Sequence, residues 1–255
     1  MPLQIVTVPC LSDNYAYLAY DEATGATAVI DVPEAGPILN ALASRNWHAS
    51  HILITHHHPD HIGGVEALAA ATGARVIGAR ADAHRLPPLD EEVAEGDLVR
   101  IGMDVGHVLE VPGHTVGHVA FHFPDSKVVF TADSLMSCGC GRLFEGTPDQ
   151  MWASLSRLAA LPPDTLVCSG HEYTQSNIRF ALSVDGTNPA LQARAARVAA
   201  LRAEKLPTVP GLLADELATN PFLRAGATEM KRGLSMESVT DAQVFAHLRA
   251  LKDRF

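Results

Sequence analysis

The stretch "ITHHHPDHIGG" (residues 54–64) sets four histidines and an aspartate into six positions and then runs into two glycines. Ahead of it, "HILIT" is a short β-branched apolar run, and behind it "VEALAAATG" carries helical spacing that stops at Gly73. The histidines therefore occupy a strand-to-helix loop at the carboxyl end of a sheet, the edge at which open α/β sheets bind ligands. In an extended loop successive side chains alternate, so His56 and His58 point one way and His57 the other. Asp60 and His61 follow at the turn and address a second point. A lone loop histidine is an ordinary solvated residue, whereas four ligand-type groups in HxHxDH spacing form a metal-binding array.

Three more ligand-type residues fall at the same strand-end position: His114 in "VPGHTVGH" after "HVLEV", Asp133 ending "KVVFTAD", and His171 after "TLVCSG". One ion cannot use them all, but two neighbouring ions can. His56, His58 and His114 then hold one, Asp60, His61 and His171 the other, and Asp133 bridges. A bridging water or hydroxide makes each ion five-coordinate and open to substrate, as catalytic rather than structural sites are. Zinc suits these ligands, as do iron and manganese. His118 and His122 read as packing residues or as supports for a ligand. His48, His51, His84, His107 and His247 carry no partner pattern.

Outward from this centre, residues 1–172 alternate short strands ("QIVTV", "AYLAY", "TAVIDV", "RVIGA", "VAFHF") with helical stretches ("PILNALASRN", "TPDQMWASLSRLAAL"), which predicts sheets covered by helices. Thr147, Pro148 and Gln150 read as a capping box with proline at the first helical position. Beyond residue 172 the strand signal stops. Helices are expected at about 173–184 and 189–205, with a last one at about 239–253 capped by Ser238. The net charge of −10 argues against nucleic acid or an anionic membrane as partner, yet the acidic excess lies in residues 1–172 and the tail is slightly basic. The opening "MPLQIVTVPC" has no charged and then apolar leader pattern, so a cytoplasmic protein is expected. Cys10, Cys138, Cys140 and Cys168 form no CxxC pair and are expected to be reduced.

The motifs "THHHPDH", "PGHTVGH", "FTAD" and "GHEYT" resemble the metallo-β-lactamase superfamily. "GCGRLFEGT" (139–147), "GHEYTQSN" (170–177), "NPFLR" (220–224) and "RALKDRF" (249–255) are similar to glyoxalase II, the hydroxyacylglutathione hydrolases. The resemblance implies an α/β fold, a four-layered αββα sandwich over residues 1–172, followed by a helical glutathione-binding domain over 173–255. It implies the same seven metal ligands, two divalent ions, and glutathione contacts from Arg142, Tyr173, Arg249 and Lys252. Arg142 stands where many members have lysine, and Phe144 where some have tyrosine. The implied reaction is hydrolysis of S-D-lactoylglutathione to glutathione and D-lactate, the second step of methylglyoxal detoxification. A monomer with no nucleic-acid or membrane partner is expected.

The residue chemistry agrees with that reaction. A metal-activated water supplies the nucleophile, with Asp60 able to orient it, so no serine or cysteine nucleophile is needed. The leaving thiolate has a parent pKa near that of cysteine, roughly 8.5, and departs without a dedicated acid. The basic pair Arg249 and Lys252, three apart on one helix face, offers charge to glutathione's carboxylates. The rivals are a one-iron glutathione persulfide dioxygenase of the same superfamily, which lacks the long helical tail, a nuclease relative, and a non-catalytic metal-binding protein.

Overall fold

The computed structural model describes residues 1–255, which divide into two compact units, Met1–Val111 with Val116–Ala132, and Pro112–Thr115 with Asp133–Phe255. In the first unit a sheet runs in the order β1 (Gln4–Cys10), β2 (Asn14–Tyr20), β3 (Ala26–Ile30), β4 (His48–Leu53), β5 (Arg75–Ala79), β6 (Glu91–Val93). The first three strands are antiparallel neighbours, and β3 to β6 are parallel. Parallel neighbours need crossovers, and the chain supplies two of them as α1 (Ala35–Ala43) and, after the one-turn α2 (Pro59–Ile62), α3 (Val65–Thr72). Gly73, at φ +69°, ends α3 in the left-handed conformation that glycine adopts without strain.

Ile38 and Leu42 of α1 and Val65 and Leu68 of α3 pack with Leu18, Val29, Ile52 and Val76 of the sheet. Fully burying each such side chain contributes about 1.5–3 kcal/mol. A second, antiparallel set of strands follows: β7 (Leu98–Ile101), β8 (Asp104–Glu110), β9 (Val119–Phe123) and β10 (Val128–Ala132). Every residue of β9 and β10 is buried, as strands covered on both faces must be. Tyr17 of β2 meets Phe130 of β10 at a ring separation of 5.8 Å, which joins the two sheets.

The second unit holds a small hairpin, β11 (Leu135–Met136) with β12 (Gly139–Cys140), then α4 (Pro148–Ala159), β13 (Leu166–Ser169), α5 (Thr174–Asp185) and α6 (Pro189–Ala203). The strand β14 (Gly211–Leu212) pairs with β13 and leads into α7 (Leu213–Thr219), α8 (Thr228–Gly233) and α9 (Asp241–Arg254). Ile178 and Ala181 of α5 pack on Leu191 and Val198 of α6. Trp152 of α4 meets Phe245 of α9, and Phe245 meets Phe222.

The expected capping box at Thr147 and Gln150 is present. The cap of the last helix is Thr240 rather than Ser238, because Thr240 and Gln243 form a reciprocal box in which each side chain bonds the other's backbone N–H. All four cysteines are free and buried. No helix is long and apolar enough to cross a membrane.

Candidate metal centre

Each unit carries its own share of the predicted ligands. In the first, the chain leaves β4 at Leu53 and reaches His58, which caps α2 in an extended conformation at φ −63° and ψ 142°. Pro59 at the first helical position has no N–H to leave unsatisfied. The alternation expected of an extended loop is realised. His56 Nε2 lies 3.1 Å from His58 Nδ1. His57 turns elsewhere, its Nδ1 3.1 Å from Asp82 Oδ2, and Asp82 Oδ1 accepts from Arg85 at 2.5 Å.

Asp31, immediately beyond β3, organises this half. Its carboxylate accepts from Thr55 N–H at 2.9 Å and from the Thr55 hydroxyl at 2.8 Å, and it lies 2.8 Å from His61 Nδ1. A carboxylate on one ring nitrogen fixes the tautomer and leaves the other nitrogen, here His61 Nε2, to face a metal. Ligand atoms of Asp31, His56 and His61 all lie within 4.8 Å of one another. His56 and His61 are fully buried, and the His118 ring stacks on His56 at 4.6 Å. Asp60 is steered by Asn14, whose amide donates to both its backbone oxygen and its Oδ2 at 3.0 Å.

In the second unit a single carboxylate oxygen serves two imidazoles. Asp133 Oδ2 lies 3.2 Å from His171 Nε2 and 3.5 Å from His114 Nε2. His114 Nδ1 is 2.8 Å from the Arg142 carbonyl, so Nδ1 carries the proton and Nε2 is left for a metal. That contact needs close backbone approach. A Cβ on Gly141 would sit 2.0 Å from the Asp133 carbonyl oxygen and 2.8 Å from His114 Nδ1, so only glycine fits. Imidazole nitrogens and carboxylate oxygens of this kind are the donors that divalent transition metals take.

The predicted glutathione residues all lie in the second unit. Arg142 is exposed. Tyr173 is partly exposed and stacks on His171 at 4.6 Å. Arg249 is buried to 5% exposure, donating to the Cys140 carbonyl at 2.9 Å and to Asp253 at 2.8 and 3.1 Å. Lys252 lies 3.4 Å from the Ser176 carbonyl, between the rings of Phe180 and Phe255. Burial, followed by the charges of Arg249 and Arg179, lowers its pKa. Phe144 stands edge-on to His114 and 63% exposed.

Burial pushes the thiols of Cys10 and Cys140 up to about 11 and that of Cys138 to about 12, and it raises Cys168 as well. None is a thiolate near neutral pH, so none is poised as a nucleophile. Sequence reading missed Asp31, Asn14 and Asp82. Asp31 did carry a signal, a carboxylate at the end of the buried run "TAVID", the same strand-end position as the predicted ligands. Asn14 opens β2 and Asp82 ends a short 3₁₀ helix, and neither position carried such a signal.

The profile described as "Metallo-beta-lactamase superfamily" matches residues 22–171. Among solved structures, "ETHE1 from Myxococcus xanthus" is 27% identical, with a TM-score of 0.67 over 98% of this chain and 90% of that one. The B3 metallo-beta-lactamase BLEG-1 shares the fold at a TM-score of 0.67 and 21% identity, over 86% of this chain and 99% of that one. The fold is that of the metallo-β-lactamase superfamily of hydrolases. The profile "Hydroxyacylglutathione hydrolase C-terminus" matches residues 172–255. A hydroxyacylglutathione hydrolase of Cereibacter sphaeroides is 64% identical over 100% of both chains, and one of Ruegeria pomeroyi 62% identical over 100% of both. The chain belongs to the hydroxyacylglutathione hydrolase family.

Proposed function

We propose that the chain cleaves the thioester of S-(2-hydroxyacyl)glutathione, S-D-lactoylglutathione in the first instance, releasing glutathione and D-lactate as the second step of methylglyoxal detoxification. In this reading the predicted ligands serve two divalent ions, zinc by preference. His56, His58 and His114 hold one ion, Asp60, His61 and His171 the other, and Asp133 bridges them. Residues 1–172 act as the catalytic domain and 173–255 as the glutathione-binding domain of a cytoplasmic monomer. The observation that carries the reading is the single Asp133 oxygen within 3.5 Å of two imidazole Nε2 atoms, each on a different strand-end loop.

When bound, the ions supply Lewis-acid polarisation of the thioester carbonyl and a water made acidic enough to attack near neutral pH. The chain's residues do the rest. Asn14 holds the Asp60 carboxylate in place, so that it aligns the attacking water while serving as a ligand. The water oxygen adds to the thioester carbonyl carbon, and the C–S bond breaks as the carbonyl re-forms to give the carboxylate. The departing thiolate is stable enough to leave unprotonated and takes its proton from solvent. Arg142, Tyr173, Arg249 and Lys252 bind glutathione, the cations on its carboxylates.

The deciding experiment is hydrolysis by metal-analysed protein of S-D-lactoylglutathione beside a lactone, a β-lactam and a phosphodiester. Thioester cleavage that exceeds the other three supports the reading, and preference for any of them overturns it. His57→Ala should leave metal content unchanged, since His57 faces Asp82. Loss of an ion there would make His57 a ligand.

Arg249→Ala removes charged hydrogen bonds worth about 1.5–3 kcal/mol. The expected fall in kcat/KM for the glutathione thioester is on the order of 10- to 100-fold, mostly as raised KM with metal content intact. A small thioester without glutathione's carboxylates is the control. Equal slowing of both substrates would instead assign Arg249 to holding the Cys140 carbonyl.

A further inference from the structure

The turn between β1 and β2 carries an apolar side chain that folding does not account for. Leu11 opens the three-residue tip between the paired Cys10 and Asn14. Its φ is +50°, a region that crowds the Cβ of an L-residue, and its side chain is 55% exposed. Of the other non-glycine residues at positive φ, Asn46, Lys127, Lys205 and Ser235 are polar, while Asp31, Ala132 and Cys138 are buried. Leu11 alone is strained, branched, apolar and exposed. Glycine would relieve the backbone there, and a polar residue would suit the water it meets.

The tip is also fixed in place. Leu11 N–H donates to Glu34 Oε1 at 2.7 Å, and Asn14, three residues on, donates to Asp60 Oδ2 at 3.0 Å. A strained conformation held by Glu34, three residues from the Asn14 amide that bonds Asp60, points to a functional constraint on this tip. We propose that Leu11 contacts the acyl group of the substrate and sets a preference for acyl chains that bear an apolar substituent. The inference rests on the thioester hydrolase reading above. A lactoyl group carries a methyl on C2 where a glycoloyl group has hydrogen. Covering that methyl with a leucine removes apolar surface of both partners from water.

The test compares the unsubstituted protein with Leu11→Gly and Leu11→Asn on S-glycoloyl-, S-D-lactoyl- and S-D-mandeloylglutathione, with the melting temperature and metal content of each protein. The kcat/KM preference for lactoyl and mandeloyl over glycoloyl should fall on the order of 10-fold in both variants, the low end of what one methylene contributes in an apolar pocket. Melting temperature should not fall in Leu11→Gly, where strain is relieved. An unchanged preference in folded, metal-replete variants overturns the inference, as does an equal loss on all three substrates with a lower melting temperature. If the unsubstituted protein cleaves none of the three, the hydrolase reading fails and takes this inference with it.

Discussion

Asp133→Ala should lower turnover of S-D-lactoylglutathione by on the order of 10³-fold or more and leave fewer than two metal equivalents per chain. The carboxylate is buried, and its Oδ2 lies between His114 Nε2 and His171 Nε2. Deleting it removes the proposed bridge and leaves two buried imidazoles without the anion that orients them. Asp133→Asn separates charge from shape, because it keeps an oxygen but loses the negative charge that two divalent ions require. It should fail nearly as badly. Two ions retained with near-normal turnover in either variant would contradict the bridging role.

Glu216→Ala should destabilise the chain by about 3–5 kcal/mol, the usual cost of removing one partner from a buried ion pair. Glu216 and Arg194 are both almost fully buried and bonded to each other. The same carboxylate accepts from Cys138 N–H at 2.8 Å and from the Asn220 amide at 3.0 Å, while Arg194 also donates to Ser137 Oγ at 3.0 Å. Truncation therefore strands a guanidinium and two further donors at once. At roughly 2–4 °C per kcal/mol for a chain of this size, the melting temperature should drop by about 6–20 °C. A loss below about 1 kcal/mol in denaturant unfolding would show that water replaces the carboxylate. The pair also secures the hairpin around Cys138–Cys140, directly ahead of the Arg142 carbonyl that orients His114, so Glu216→Ala should weaken metal retention secondarily.

These two residues differ in how far the sequence announces them. Asp133 ends an apolar run, "KVVFTAD", at the position where strand-end ligands collect, and His56, His58, Asp60 and His61 lie in one loop. Local pattern is enough to propose them as ligands, because a metal needs several donors close together and the chain supplies most of the candidates from one turn. The capping box at Thr147 is legible for the same reason, being a four-residue signal. Glu216 is not. Its partners Cys138 and Arg194 lie 78 and 22 residues away, and a glutamate in "LLADELAT" looks like any helix-surface acid until α7 is seen to bury it. Asp31 is intermediate, visible as a carboxylate on a buried strand but not as the support for His61. Between Ser238 and Thr240, the reciprocal partner Gln243 decides which one caps the helix, so the box rather than the lone serine was the signal to weigh.

Composition changes at residue 172, whereas compactness divides the chain after Ala132. The difference has a physical origin. The hairpin β11–β12 has strand character locally, yet Asn220 bonds the carbonyls of Met136 and Gly139, and Arg249 bonds that of Cys140, from helices 81 to 109 residues further on. A pass along the sequence sees the strand-like residues and cannot see the helices that hold them.

The most direct test of a dinuclear thioester hydrolase is the metal content of the purified chain, determined by elemental analysis on the same sample that is assayed with S-D-lactoylglutathione. The account predicts about two divalent ions per chain, thioester cleavage without oxygen uptake, and loss of turnover as chelation removes the ions. One iron per chain with oxygen consumption on glutathione persulfide, and no cleavage of the thioester, would contradict it.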